Sequence, residues 1–253
     1  MNNDTEKKRL PAFNRNGILL VNKPIGWTSF DVVAFMRTKF NIPKIGHCGT
    51  LDPAASGLLV IVVGKFTKLS QKFSGENKVY SGTILLGTET DSQDMDGAVT
   101  KVSDYSGITE EQLKDAFGAF TGEIMQTPPM VSAVKKDGKR LYKLARKGIE
   151  VDREAKPITI YSVDLENFKL PYCDFTVSCS KGTYIRTLCA DVGAKLGCGA
   201  VLFRLNRLQS GEFKLDDAYS IDEIKEWTQE DLEAKIDEFL FGKLSRMVHF
   251  TSF

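Results

Sequence analysis

The chain has 253 residues, of which 42% are hydrophobic and 26% charged, and carries a net charge of +1. That is enough for one large domain or two small ones with buried cores. No stretch approaches the ~20 consecutive apolar residues that a membrane-spanning helix needs. Residues 1–9 are polar and charged rather than a secretory leader, so a short frayed tail and a cytoplasmic protein are expected. Five cysteines without a CxxC pair, and only two histidines, His47 and His249, argue against a disulfide framework and against a zinc cluster.

The charge is unevenly spread. Residues 212–243 hold eleven acids and four bases, a net of −7, which leaves +8 for the remainder. A basic body with a separate acidic segment suits a polyanionic partner, although two solvated helix faces would give the same composition.

In chain order, the apolar run from Gly17 to Asn22, closed by Lys23-Pro24, predicts a buried strand and a turn. Thr28-Ser29-Phe30-Asp31 then caps a helix whose apolar residues Val32, Val33, Phe35 and Met36 recur to Phe40. A loop is expected from Pro43 to Gly57, leading into a β-rich run from Leu58 to Val63. Lys78 to Leu86 alternates like a strand, and Thr109-Glu110-Glu111-Gln112 opens a helix to about Phe120.

Lys139 to Lys147 reads as a basic helix closed by Gly148. Two further β-rich runs come next, Ile158 to Phe168 and Cys173 to Ser180, then a helix from Thr183 to Leu196 before Gly197, and a strand from Ala200 to Leu208. Ser220-Ile221-Asp222-Glu223 caps the first of two acidic C-terminal helices. The order lacks regular β-α-β alternation, so an α+β fold around a large mixed, mostly antiparallel sheet flanked by helices is expected.

Gly46-His47-Cys48-Gly49-Thr50-Leu51-Asp52-Pro53 presents one carboxylate on a glycine-bracketed loop. Such a loop could fix Asp52 beside a ligand, or could be a plain turn in which Asp52 caps the backbone beyond Pro53. His47, five residues earlier, could serve acid-base chemistry, ligate a metal or simply satisfy the loop. Lys135, Lys136, Lys139, Arg140, Lys143, Arg146 and Lys147, set against Asp137, give +6 within thirteen residues, a density that suits phosphate contact. Ser92 to Gly97 looks like part of an EF-hand loop, but Ser92 and Ser103 stand where such a loop needs its first ligand and its bidentate glutamate, so no calcium site is expected. Gly193 to Gly199 lacks a GxGxxG frame and reads as a helix end.

The loop is flanked by GILLVNKPIGWTSFDVV before it and ASGLLVIVVGKFTKLSQ after it. With Lys78-Val79-Tyr80, the turn Gly87-Thr88-Glu89-Thr90-Asp91, the segment SAVKKDGKRLYKLARKGIEV and Cys179 to Thr187, these stretches resemble the bacterial TruB family of tRNA pseudouridine synthases from residue 17 to about 211. The resemblance implies a pseudouridine synthase fold and isomerisation of uridine 55 in the TΨC loop of tRNA, with no cofactor and no metal. It makes Asp52 the catalytic aspartate and Arg186 the arginine that pairs with it. Tyr80 matches the tyrosine that stacks under the flipped uracil, and Tyr184 and Leu205 match residues lining the same pocket. His47 resembles the histidine that steadies the opened RNA loop. The basic segment, within an insertion of about 124–152, corresponds to a mobile thumb that closes on the T-arm stem-loop, with Tyr142 and Leu144 on its anchoring side.

The implied organisation is one catalytic domain over residues 15–243 between tails 1–14 and 244–253, in a monomer. Beyond 211 the chain departs from the pattern of the family, whose bacterial members usually add a small β-rich RNA-binding domain called PUA. Its absence is expected, and the role of the acidic helices is left open.

Overall fold

The structure, a computed structural model, describes residues 10–248 except 133, 137 and 146. The outermost parts of both expected tails and Arg146 of the basic segment therefore lie outside the described residues. The chain divides into two compact units, one made of residues up to 75 together with those from 212 onward, the other of residues 76–211.

The first unit begins with β1 (Gly17–Lys23), α1 (Ser29–Lys39), β2 (Ile45–Cys48), β3 (Ser56–Val63) and the short α2 (Ser70–Ser74). β1 and β3 pair antiparallel from Gly17 opposite Val63 to Lys23 opposite Gly57. Both strands are near-continuous apolar runs because both faces are covered. Leu19, Val21, Leu59, Ile61 and Val63 face one core with Val32, Val33 and Met36 of α1, while Ile18, Leu20, Leu58, Val60 and Val62 face another with Cys48 and Phe213. Each fully buried aliphatic side chain contributes about 1.5–3 kcal/mol relative to exposure.

α1 starts where its capping box predicts. The Asp31 N–H donates to Thr28 Oγ1 at 3.0 Å, and the Thr28 N–H donates to Asp31 Oδ2 at 2.8 Å. The expected loop from Pro43 to Gly57 is only partly a loop: its first part is β2, paired with β3 so that His47 lies opposite Ile61. Four residues without an apolar alternation carry no strand signal of their own, and β2 is defined by its pairing with β3. Phe13, inside the expected N-terminal tail, is buried in the α1-side core, and its N–H donates to the Asn41 carbonyl at 3.1 Å.

The second unit contains β4 (Lys78–Leu86), the hairpin β5 (Thr88–Thr90) and β6 (Val99–Val102), α3 (Glu110–Gly118) and β7 (Gly122–Gln126). It continues with β8 (Lys135–Lys136), β9 (Lys139–Arg140), α4 (Leu141–Ala145), β10 (Lys156–Lys169), β11 (Tyr172–Cys179), α5 (Ile185–Leu196) and β12 (Ala200–Ser210). Its sheet runs β12-β4-β11-β10-β7, antiparallel throughout. This is the α+β arrangement with mostly antiparallel pairing that the element order implied.

α3 and α5 supply the buried residues Leu113, Phe117, Leu188, Cys189 and Val192. Phe117 meets Phe175 of β11 with ring centroids 5.4 Å apart. Gly82 on β4 is required by that ring, since a Cβ there would sit 2.6 Å from Phe175 Cζ. The basic helix expected over Lys139 to Lys147 is shorter than its composition suggested: β8 and β9 form a hairpin, and among the described residues of the segment only Leu141–Ala145 is helical. The turn at Gly138 (φ 77°) lets the chain double back; Leu141 is buried and Leu144 half-buried, while the side chain of Tyr142 lies outside the described residues.

The chain then returns to the first unit with β13 (Phe213–Lys214), β14 (Tyr219–Ser220), α6 (Ile221–Glu226) and α7 (Gln229–Val248). β14 runs parallel to β1, with Val21 opposite Tyr219. Ile221, Ile224, Leu232 and Ile236 of the two acidic helices enter the same core as α1. The acids form the outer side of helices whose inner side covers β1 and β3.

Candidate functional site

The residues singled out in the sequence divide between the units: His47 and Asp52 belong to the first, Tyr80, Tyr184, Arg186, Leu205 and the basic segment to the second.

Asp52 is half-buried, in a turn closed by the Ala55 N–H donating to the Asp52 carbonyl at 3.1 Å. The peptides on either side of it are fastened to β1 and α1. Ser29 Oγ accepts the Leu51 N–H at 2.8 Å and donates to the Leu51 carbonyl at 3.1 Å. The Pro53 carbonyl accepts the Gly26 N–H at 2.8 Å and faces the Lys23 ammonium at 3.5 Å. Lys23 is fully buried and donates to the Trp27 and Pro24 carbonyls at 2.6 and 2.9 Å.

A buried ammonium is tolerated only when its donors are met, so this one stitches the strand end to the Asp52 loop. Gly49 (φ 84°) and Gly57 (φ 102°) adopt backbone open to glycine on both sides of the carboxylate. The result is a preorganised acid, placed by the backbone on either side of it.

In the second unit, Tyr80 of β4 lies opposite Val177 of β11 and Arg207 of β12, and Leu205 lies opposite Gly82. Directly opposed residues share a face of a sheet, so Tyr80, Leu205 and Arg207 stand on the Phe175 face. Tyr80 is 9% exposed and Leu205 half-buried. Between them the pairing is regular, and bulges interrupt β12 only beyond, at Leu202/Arg204 and Arg207/Gln209.

Tyr184 is the residue that opens α5. Its side chain is half-exposed, but its backbone is held at both ends by Gln126: the Tyr184 N–H donates to Gln126 Oε1 at 2.8 Å and Gln126 Nε2 donates to the Tyr184 carbonyl at 3.1 Å. Arg186, the second residue of α5, is 4% exposed. Its Nη1 donates to the Ser92 carbonyl at 3.1 Å and lies 3.4 Å from Asp94 Oδ2, and its Nη2 donates to the Val131 carbonyl at 2.9 Å.

The other Asp94 oxygen accepts from Ser92 Oγ and from the Asp96 N–H. The turn that looked like a fragment of an EF-hand thus directs its central carboxylate at a guanidinium. Gln93, at φ 66°, accepts from Thr187 Oγ1 at 2.8 Å and ties the same turn to α5.

The basic segment lies between β7 and β10. Lys147 is exposed, and the side chains of Lys135, Lys136, Lys139, Arg140 and Lys143 lie outside the described residues. The five cysteines are buried. Desolvation pushes the Cys173 and Cys179 thiols up to about 11, which leaves them protonated and unreactive at neutral pH.

Four residues that hold this machinery were not singled out in the sequence: Lys23, Ser29, Asp94 and Gln126. Lys23 and Ser29 sit inside the motif that precedes the Asp52 loop, yet nothing in their spacing distinguishes them from turn residues. The sequence offers Asp94 only as a failed calcium ligand, and Gln126 carries no local signal.

Comparison with known proteins identifies the class. The model of the TruB family pseudouridylate synthase N-terminal domain matches residues 37–185, and that of the tRNA pseudouridylate synthase B C-terminal domain matches residues 186–248. The chain belongs to the TruB family of pseudouridylate synthases. The second match runs on through α6 and α7, beyond the position near residue 211 where the family pattern was expected to end.

Among curated relatives, a tRNA pseudouridine synthase B of Opitutus terrae is 47% identical over 89% of this chain and 94% of its own length. One of Clostridium tetani is 47% identical over 83% of this chain and 73% of its own. Among solved structures, a Cbf5-Nop10-Gar1 complex matches 81% of this chain with a TM-score of 0.64 at 29% identity. An H/ACA RNP bound to a substrate RNA containing 2'-deoxyuridine matches 90% with a TM-score of 0.61 at 25% identity. The chain spans about half the length of these solved chains, 52% and 55%.

Proposed function

We propose that this protein converts uridine 55 of the tRNA TΨC loop to pseudouridine. The observation that carries the reading is the Asp52 turn: the peptides before and after a single carboxylate are fastened by Ser29, Gly26 and Lys23, rigidity that a plain solvent turn does not require. Family membership and the relatives' names support the substrate.

In the proposed reaction the basic segment grips the phosphates of the T arm, and the target uridine is flipped out of its stack. Tyr80, Tyr184 and Leu205 replace the stacking partners lost on flipping, and His47 steadies the opened loop. Asp52 acts on the ribose side. The N1–C1′ bond breaks, the uracil turns while held, C5 bonds to C1′, and the C5 proton leaves while N1 gains one. Atoms and electrons balance within the substrate.

The test is Asp52→Asn, assayed for pseudouridine in tRNA and, separately, for tRNA binding. Loss of product with binding retained is the expected result. Unchanged product overturns the assignment, and free uracil among the wild-type products would indicate glycosidic hydrolysis instead.

A further inference from the structure

The basic insertion, expected over about 124–152, occupies residues 127–155 between β7 and β10 and leaves the second unit's sheet at one place. Gln126 is the last residue of β7 and Lys156 the first of β10, and the two are paired across the ladder. The insertion therefore joins the sheet through this pair and its neighbours. Gln126 is 3% exposed, and its amide is engaged with the Tyr184 peptide at 2.8 and 3.1 Å, a side chain imitating one rung of a ladder.

Tyr184 opens α5 without a side-chain cap, and its carbonyl also accepts the Leu188 N–H, the first bond of that helix, at 3.1 Å. A second tie lies close by: the Val131 carbonyl of the insertion accepts from Arg186 Nη2 at 2.9 Å. Across the insertion, Arg153 Nη1 donates to the Pro128 carbonyl at 3.2 Å, so that its two arms are joined just above the neck.

We propose that Gln126 is a positioning residue that couples the RNA-gripping insertion to Tyr184, setting the aromatic side of the pocket according to how the insertion is seated. The coupling rests on the pseudouridine-forming function proposed for the same site. A bidentate amide fixes both the height and the rotation of the Tyr184 peptide, and therefore the direction of its side chain. Met125 could not do this, because alternation along β7 points it to the opposite face. Met125 is 64% exposed.

The test uses the full chain with a T-arm stem-loop RNA and two variants. Gln126→Leu removes both hydrogen bonds at nearly constant volume, and Gln126→Glu keeps the acceptor for the Tyr184 N–H but loses the donor. Single-turnover rate at saturating RNA and the RNA dissociation constant are measured side by side, with melting curves to verify folding. The expected result is a rate loss of about tenfold or more for Gln126→Leu, a smaller loss for Gln126→Glu, and a dissociation constant within about twofold of wild type.

Unchanged rates at saturation in folded Gln126→Glu, or a loss confined to RNA affinity or melting temperature, overturn the coupling. A wild-type protein that forms no pseudouridine would instead sink the functional reading itself, and the coupling with it.

Discussion

Ser29 and Leu51, 22 residues apart, form a closed pair: the serine hydroxyl accepts the Leu51 N–H at 2.8 Å and donates to its carbonyl at 3.1 Å. Ser29 is the first residue of α1 and is 2% exposed, so the peptide preceding Asp52 is referenced to a helix rather than to solvent.

Ser29→Ala should therefore disturb activity more than fold. Leaving the buried Leu51 N–H and carbonyl without this partner costs about 1–3 kcal/mol. Turnover should fall about tenfold or more while the RNA dissociation constant changes little. Steady-state kinetics beside denaturant unfolding would show it, and an unchanged kcat would mean that Ser29 does not position Asp52.

The buried pair Arg186 and Asp94 should be costly to break from either side. Asp94→Asn keeps the shape but removes the negative charge that faces the guanidinium, and truncating one member of a buried pair typically destabilises by about 3–5 kcal/mol. Asp94→Asn, which retains hydrogen bonding, is expected below that range and Asp94→Ala within it. Urea melts of the two variants would check the order.

Gly82→Ala tests packing alone. Its Cβ would overlap the Phe175 ring at 2.6 Å, and overpacking of a tight core typically costs about 1–3 kcal/mol. The denaturant midpoint should fall without a change in slope, and pairing Gly82→Ala with Phe175→Leu should recover part of the loss.

Capping carboxylates set the acid limb of stability. The Thr28 hydroxyl beside Asp31 and the Ser220 hydroxyl beside Glu223 hold these acids below their usual 3.8 and 4.5. A depressed folded value means that the contribution is complete above the ordinary value and is lost as pH falls through the lowered one. Thermal melts from about pH 6 downward should therefore drop below about pH 4.5, and Asp31→Asn with Glu223→Gln should flatten that drop.

Salt dependence would report on the basic segment. If Lys139, Arg140 and Lys143 contact phosphates, replacing all three by Gln should reduce the slope of log affinity against log salt by roughly 2–3. An unchanged slope would place the phosphate contacts elsewhere.

Local signals were sufficient for much of the fold. The two-faced apolar runs of β1 and β3, the alternation of β4, and the Thr28, Thr109 and Ser220 capping boxes each lie within a few residues of the element they specify, and each element formed there. The motif around Asp52 and the segments holding Tyr80, Tyr184, Arg186 and Leu205 were singled out through resemblance to the family, not through any local periodicity. Where local signals fell short, the missing information was non-local. β2 is defined by its pairing with β3, and the basic helix shortened because its first residues pair as a hairpin.

The sequence by itself determined the element types, the candidate carboxylate and the family, because helical and strand periodicities, caps and contiguous motifs are encoded within short windows. Only the tertiary structure decided what holds those residues still. Ser29 reaches Leu51 across 22 residues, Gln126 reaches Tyr184 across 58, and Arg186 reaches Ser92 across 94. Such hydrogen bonds exist because a buried polar group must find a partner wherever the packed chain provides one, and that partner has no address in the local sequence.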